Sequence, residues 1–194
     1  VDSLKTRHTK PQLARTGGAY TRTAQALHWL MALIWLASWG IGMVAAHVPA
    51  LNPQHGLTAL HKAVATSLLF LIVIRVAWRL THPAPAMPAS MSMPMQRAAH
   101  LGHFVLYAVA LIALPLSGWY WSSVSGRAVQ FLGLLPLPPL AAPDAARQDL
   151  AGSVHVLTAW CCGALVAGHV LAALKHRFID KDSVMAAMMP GSKG

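Results

Sequence analysis

Ala151 to Lys175, AGSVHVLTAWCCGALVAGHVLAALK, is the stretch whose reading decides the fold. Its length and apolar character predict a helix that crosses a hydrocarbon core about 30 Å thick. Inside it stand His155 and His169, 14 residues apart. At about 100° per residue the two point within about 40° of each other, and they stand roughly 21 Å apart along the axis. An ionisable side chain at membrane depth is costly and faces the bundle interior, which makes it a functional residue by default. Two of them on one face predict two sites at two depths.

The rest of the chain agrees with a membrane setting. Of its 194 residues 56% are apolar and only 10% charged, too apolar and charge-poor for an ordinary soluble domain. The net charge of +10 does not point to nucleic acid, because the basic residues lie at the ends and between apolar runs and form no single patch. Cys161 and Cys162 are adjacent, which gives neither a redox CxxC pair nor a CxxCH haem attachment, and they read as buried apolar filler.

Working outward, four spans are predicted: 24–46, 57–80, 98–121 and 151–175, together forming one domain over 24–175. A basic N-terminal tail (1–23) precedes it and a C-terminal tail (176–194) follows. The first span, AQALHWLMALIWLASWGIGMVAA, ends in a small-residue run that resembles a leader cleavage site. Its apolar run is longer than a leader needs, so a retained helix is expected. His47 to Gly56, with Pro49 and Asn52-Pro53, breaks the pattern. Thr81 to Gln96 holds Met87, Met91, Met93 and Met95; methionines can bind soft copper, but no histidine or cysteine lies among them and a Pro-broken linker is the expected reading. Trp119, Tyr120 and Trp121 suit an interfacial aromatic belt. The long apolar, Pro-studded loop from Ser122 to Leu150 is expected to lie on the membrane surface or to cap the bundle.

Lysine and arginine set the orientation. Segments on the N-terminal side of the membrane hold 12 of them and the other side holds 3 (Lys62, Arg127 and Arg147), which accounts for all 15. The positive-inside rule then predicts an all-α, up-down four-helix bundle with both termini cytoplasmic. His28 and His169 fall near the cytoplasmic edge, His61 and His155 near the outer edge. Each pair joins two helices at one depth, as two axial ligands of a haem iron require. Zinc fits less well, because no acid or cysteine completes either pair. Two histidines on one iron leave no open position, which favours electron transfer over oxygen binding.

Several residues share this geometry. Arg75 and Arg79 lie on the face of His61 at the cytoplasmic end, where they could pair with propionates of the lower haem or snorkel to headgroups. Gly42, 14 residues after His28, would make room for a porphyrin or serve close helix packing. His100, His103 and Tyr107 form a stripe near the cytoplasm and are candidates for a supporting or proton-relay role. His8, His47, His55, His82 and His176 read as solvated.

The segments TAQALHWLMAL, LHKAVATSLLFLIVIRVAWRL, AHLGHFVLYAVALIALPLSGWYW and SVHVLTAWCCGALVAGHVLAALKHRFIDKDSVMAAMMP resemble the bacterial cytochrome b561 family over nearly the whole chain after residue 20. The resemblance implies a multi-pass inner-membrane cytochrome with two b haems, their ligands falling on His28, His61, His155 and His169. It also implies a superoxide oxidase activity that passes electrons from periplasmic superoxide to ubiquinone. Superoxide is a small anion, so Lys62 and Arg127, two of the three outer basic residues, would steer it to the outer haem. The alternatives are an electron-relay subunit that docks a dehydrogenase or hydrogenase as its redox partner protein and, more remotely, a non-redox metal carrier.

Overall fold

The computed structural model describes residues 18–88 and 91–191. Lys5, Arg7, Lys10, Arg15 and His8 of the expected basic tail, and Lys193, lie outside the described residues. Among the described residues, four helices are long and apolar enough to cross a membrane: α1 (Arg22–His47), α2 (Gly56–Thr81), α3 (Met93–Val124) and α4 (Ala145–Asp180). A short α5 (Val184–Met188) follows. α1 packs along α2, and α3 along α4.

Local chemistry sets the helix ends. Thr21 caps α1 by accepting from Ala24 N at 3.3 Å, and its hydroxyl also receives the Trp78 indole at 3.1 Å, which ties the start of α1 to the end of α2. In the α1–α2 connector Asn52 Oδ1 accepts from Leu57 N at 2.9 Å and Thr58 N at 3.3 Å, meeting first-turn donors that a helix cannot satisfy itself, and Asn52 Nδ2 donates to Thr58 Oγ1 at 2.9 Å. α3 begins at Met93, within the stretch expected to be linker, because Pro94 stands in its first turn, where a missing N–H costs nothing. Its turns widen over Tyr107–Ala113, just before Pro115, whose ring and missing N–H disrupt regular helical bonding to the preceding turn. α4 begins six residues before the expected Ala151, with Asp144 accepting from Ala146 N at 3.0 Å.

The outer loop folds back as a hairpin, with β1 (Val129–Phe131) paired antiparallel to β2 (Leu135–Leu137). It rests on α2: the Phe131 and Phe70 rings are 4.3 Å apart, and Thr66 Oγ1 reaches Gln130 O at 3.5 Å. The described part of the C-terminal segment is docked against α1, since Tyr20 N, Gln25 Nε2 and Trp29 Nε1 donate to the carbonyls of Ala187 and Met188 at 3.0 to 3.1 Å.

The bundle is apolar outside as well as inside. Leu33, Val73, Phe104, Leu157 and Leu171 are all exposed, as a lipid-facing surface requires. Its core is a compact plug of Met31, Trp35, Leu68, Ile72, Ala110 and Cys162. Cys161 is exposed while its neighbour Cys162 is fully buried, so only Cys162 is the expected core filler; adjacent helical positions point about 100° apart.

Candidate functional site

The four histidines meet in the two pairs that spacing predicts. The ring centres of His28 and His169 are 6.2 Å apart, and those of His61 and His155 are also 6.2 Å apart. Two imidazoles sharing one metal ion stand at such a distance: about 2.0 Å for each metal–nitrogen bond, plus roughly 1.1 Å from each nitrogen to its ring centre, gives about 6 Å. The core plug fills the level between the pairs. Cys162 is seven residues from both His155 and His169, Leu68 is seven beyond His61, and Trp35 is seven beyond His28. All three of these side chains are buried. Trp35 stacks on Trp39 at 6.1 Å, and its own Nε1 is buried without a hydrogen-bond partner among the described residues.

The outer pair has a fully specified set of neighbours. His61 Nδ1 donates to Ser38 O at 2.8 Å, with Ser38 Oγ at 3.2 Å. His155 Nδ1 lies 3.0 Å from Ser117 Oγ, whose own hydroxyl proton is given to Leu114 O at 2.8 Å. Ser117 therefore accepts from His155. In both rings the proton sits on Nδ1, which leaves the Nε2 lone pair free for a metal, the usual way a neighbouring group fixes the tautomer of a ligating histidine.

Both outer rings lean on glycines. A Cβ on Gly42 would meet His61 Nδ1 at 2.9 Å, and one on Gly118 would meet His155 Cε1 at 2.8 Å. The space at Gly42, expected to admit a porphyrin or a neighbouring helix, is thus taken by a histidine ring from α2. Gly118, Ser38 and Ser117 escaped the sequence reading. Their signal was a small polar residue and a glycine within one turn of each other, in spans otherwise filled with large apolar side chains.

The inner pair is set among cations and aromatics. Arg75 lies with Nη2 3.5 Å from His28 Nδ1, while its Nε donates to Tyr107 Oη at 2.9 Å and its guanidinium sits 5.3 Å over the Tyr107 ring. Arg75 Nη1 is buried with no partner among the described residues. Arg79 is elsewhere: it is exposed and donates to His82 O at 3.4 Å. Of the stripe His100, His103 and Tyr107, His103 packs on His169 at 5.3 Å between ring centres and Tyr107 holds Arg75, while His100 is exposed. His176 is not a free solvated residue, since its Nδ1 lies 2.7 Å from Asp182 and 3.2 Å from Asp180. Lys62, next to His61 in α2, is half-buried, and Arg127, just before β1, is exposed.

A family model described as prokaryotic cytochrome b561 matches residues 19–191. The chain is 33% identical to cytochrome b561 homolog 2 of Escherichia coli (strain K12) over 171 residues, covering 88% of this chain and 90% of that protein. It is 27% identical over 168 residues to the probable superoxide oxidase CybB of Yersinia pestis, covering 87% and 94%. Cytochrome b561 homolog 1 of Escherichia coli (strain K12) matches at 36% over 97 residues, half of each chain. With four membrane-crossing helices and a family match over nearly its whole described length, the chain belongs to the prokaryotic cytochrome b561 family, haem b proteins of inner-membrane electron transport.

Proposed function

We propose that the protein is a di-haem superoxide:ubiquinone oxidoreductase, with one haem b between His28 and His169 and a second between His61 and His155. The observation that carries this reading is the equal 6.2 Å separation of two histidine pairs near opposite ends of α4. The residues fit the group. The outer rings offer free Nε2 lone pairs, and Arg75 Nη1 is a buried donor that a propionate carboxylate would satisfy. Arg79, at the exposed end of α2, would serve the same carboxylates from the headgroup side. The haems, when bound, supply one-electron storage at two depths.

The chain's own residues do the rest. Lys62 and Arg127 attract the anion at the outer face, which the lysine and arginine distribution assigns to the periplasm. The apolar plug of Trp35, Leu68 and Cys162 keeps water and protons from crossing between the sites. The net reaction takes one electron from each of two superoxide anions, releasing two dioxygen molecules, and gives both electrons and two protons to one quinone, forming the quinol. The name of the Yersinia pestis relative supports superoxide as donor.

The test is a reduced-minus-oxidised spectrum with haem stoichiometry on purified protein, followed by superoxide turnover with added ubiquinone. Two haems per chain are expected, with one lost in each of H28A, H61A, H155A and H169A. Substituting Lys62 and Arg127 by Gln should slow superoxide oxidation severalfold at low salt and flatten its salt dependence, with the spectrum intact. An unchanged rate and salt profile in that double variant would sink the steering role, and quinone reduction that ignores superoxide would sink the substrate.

A further inference from the structure

The two histidine pairs are spaced alike and surrounded differently. His61 gives its Nδ1 proton to Ser38 O at 2.8 Å, and His155 gives its own to Ser117 Oγ at 3.0 Å. An imidazole that donates to oxygen becomes a more basic ligand through its other nitrogen, and a more basic ligand favours the more positive, oxidised metal. His28 meets the opposite. Its Nδ1 faces Arg75 Nη2 at 3.5 Å; with Nε2 given to a metal, Nδ1 keeps its proton and finds no acceptor there, only a guanidinium that never loses its charge, so Arg75 acts on the ring as a fixed positive charge and not as a hydrogen-bond partner.

Arg75 cannot easily swing away. Its Nε is bonded to Tyr107 Oη at 2.9 Å and its plane lies 5.3 Å over the Tyr107 ring, so α3 holds the α2 cation against the α1 histidine. A fixed positive charge next to a redox centre favours the state carrying one more electron. The sign does not depend on what Nη1 contacts. If it stays bare, removing Arg75 removes a cation; if it takes a carboxylate, removing Arg75 uncovers an anion. Either change disfavours the added electron.

Resting on the two-haem reading, we propose that Arg75, held in place by Tyr107, sets the reduction potential of the His28–His169 site above that of the His61–His155 site, so that electrons entering at the outer pair run downhill to the inner pair. Arg75 is a positioning residue for charge in this scheme. It need touch neither superoxide nor quinone.

The experiment is a potentiometric titration of purified haem-loaded protein, followed at the haem absorption band, for the wild type and for R75Q, R75K, Y107F and H169A. Two midpoints are expected, and the higher one should vanish in H169A. R75Q should weaken electron affinity at the higher midpoint by at least tenfold, which is 59 mV for a one-electron couple, and move the lower midpoint much less. R75K should recover most of the shift, and Y107F should move the same midpoint in the same direction by a smaller amount. If R75Q fails to assemble, Y107F alone decides, and an unmoved higher midpoint overturns the proposal. So does an R75Q shift confined to the lower midpoint, or one equal in both. One haem per wild-type chain would instead overturn the two-haem reading, before any Arg75 variant is measured.

Discussion

Replacing Gly42 by alanine puts a methyl group in place of a hydrogen at a point where no room exists. The new Cβ would lie 2.9 Å from His61 Nδ1 and 3.0 Å from Cε1, against an ordinary contact of about 3.5–4.0 Å. The ring must therefore retreat by roughly 0.6 Å or more. It is tethered to Ser38 O at 2.8 Å, on the same helix as Gly42, so a retreat stretches the bond that fixes its tautomer. Overpacking of this kind costs about 1–3 kcal/mol. Alanine's better helix propensity returns roughly 1 kcal/mol. The remainder, up to about 2 kcal/mol, corresponds to haem binding weakened by as much as roughly thirtyfold at the outer site. The measurement is the haem-to-protein ratio and the reduced-minus-oxidised spectrum of G42A, purified without added haem. On the proposed two-haem reading the ratio should fall from two toward one, with the contribution of the haem at His28 and His169 unchanged. Gly40, on the same helix, has nothing within 4 Å of where its Cβ would stand, so G40A should keep both haems. G42A with full haem content and an unaltered spectrum, or G40A losing as much as G42A, would refute the reasoning.

The other expectations are more local. G118A, whose Cβ would come within 2.8 Å of His155 Cε1, should deplete the same haem, so that G42A/G118A loses one haem and not two. Burial raises the Tyr20 hydroxyl above its ordinary value of 10. Its neutral form is therefore preferred in the folded protein, and the associated stability is complete below pH 10 and is lost as pH rises through the folded value; Y20F should flatten the alkaline edge of a thermal-stability profile, and an identical profile would reject the burial argument. Asp144 caps α4 and pairs with Arg147 at 3.0 Å, so D144A should cost about 1 kcal/mol of stability, read as a lower melting temperature with both haems retained.

Much of this was legible because membrane helices leave the sequence few options. The four spans followed from apolar length, and the pairing of His28 with His169 and of His61 with His155 followed from the 14-residue spacing that puts His155 and His169 on one face together with depth, because a bundle brings residues of equal depth together. Helix ends were read less well. Polar residues such as Arg147 and Gln148 looked like loop, although α4 includes them, because a helix can continue past the hydrocarbon once Asp144 caps it. Pro94 looked like a break and is a start. The outer hairpin could not be foreseen, because its pairing partners and its seat on Thr66 and Phe70 are tertiary matters that strand-length patterns do not carry. Gly42 stood out by its spacing from His28, but which ring would fill its space did not, nor did the roles of Ser38, Ser117 and Gly118, since a histidine's neighbours belong to other helices.

That hairpin has a consequence for the order of assembly. It joins α3 to α4, yet it sits on α2, which leaves the ribosome first. When Val129 to Leu137 emerges, its docking surface already exists, so the newest segment is shaped by an older template. α4 comes last of the four spans and brings one histidine to each pair. Each histidine pair, by contrast, stays incomplete until α4, the last of the four spans, has been made.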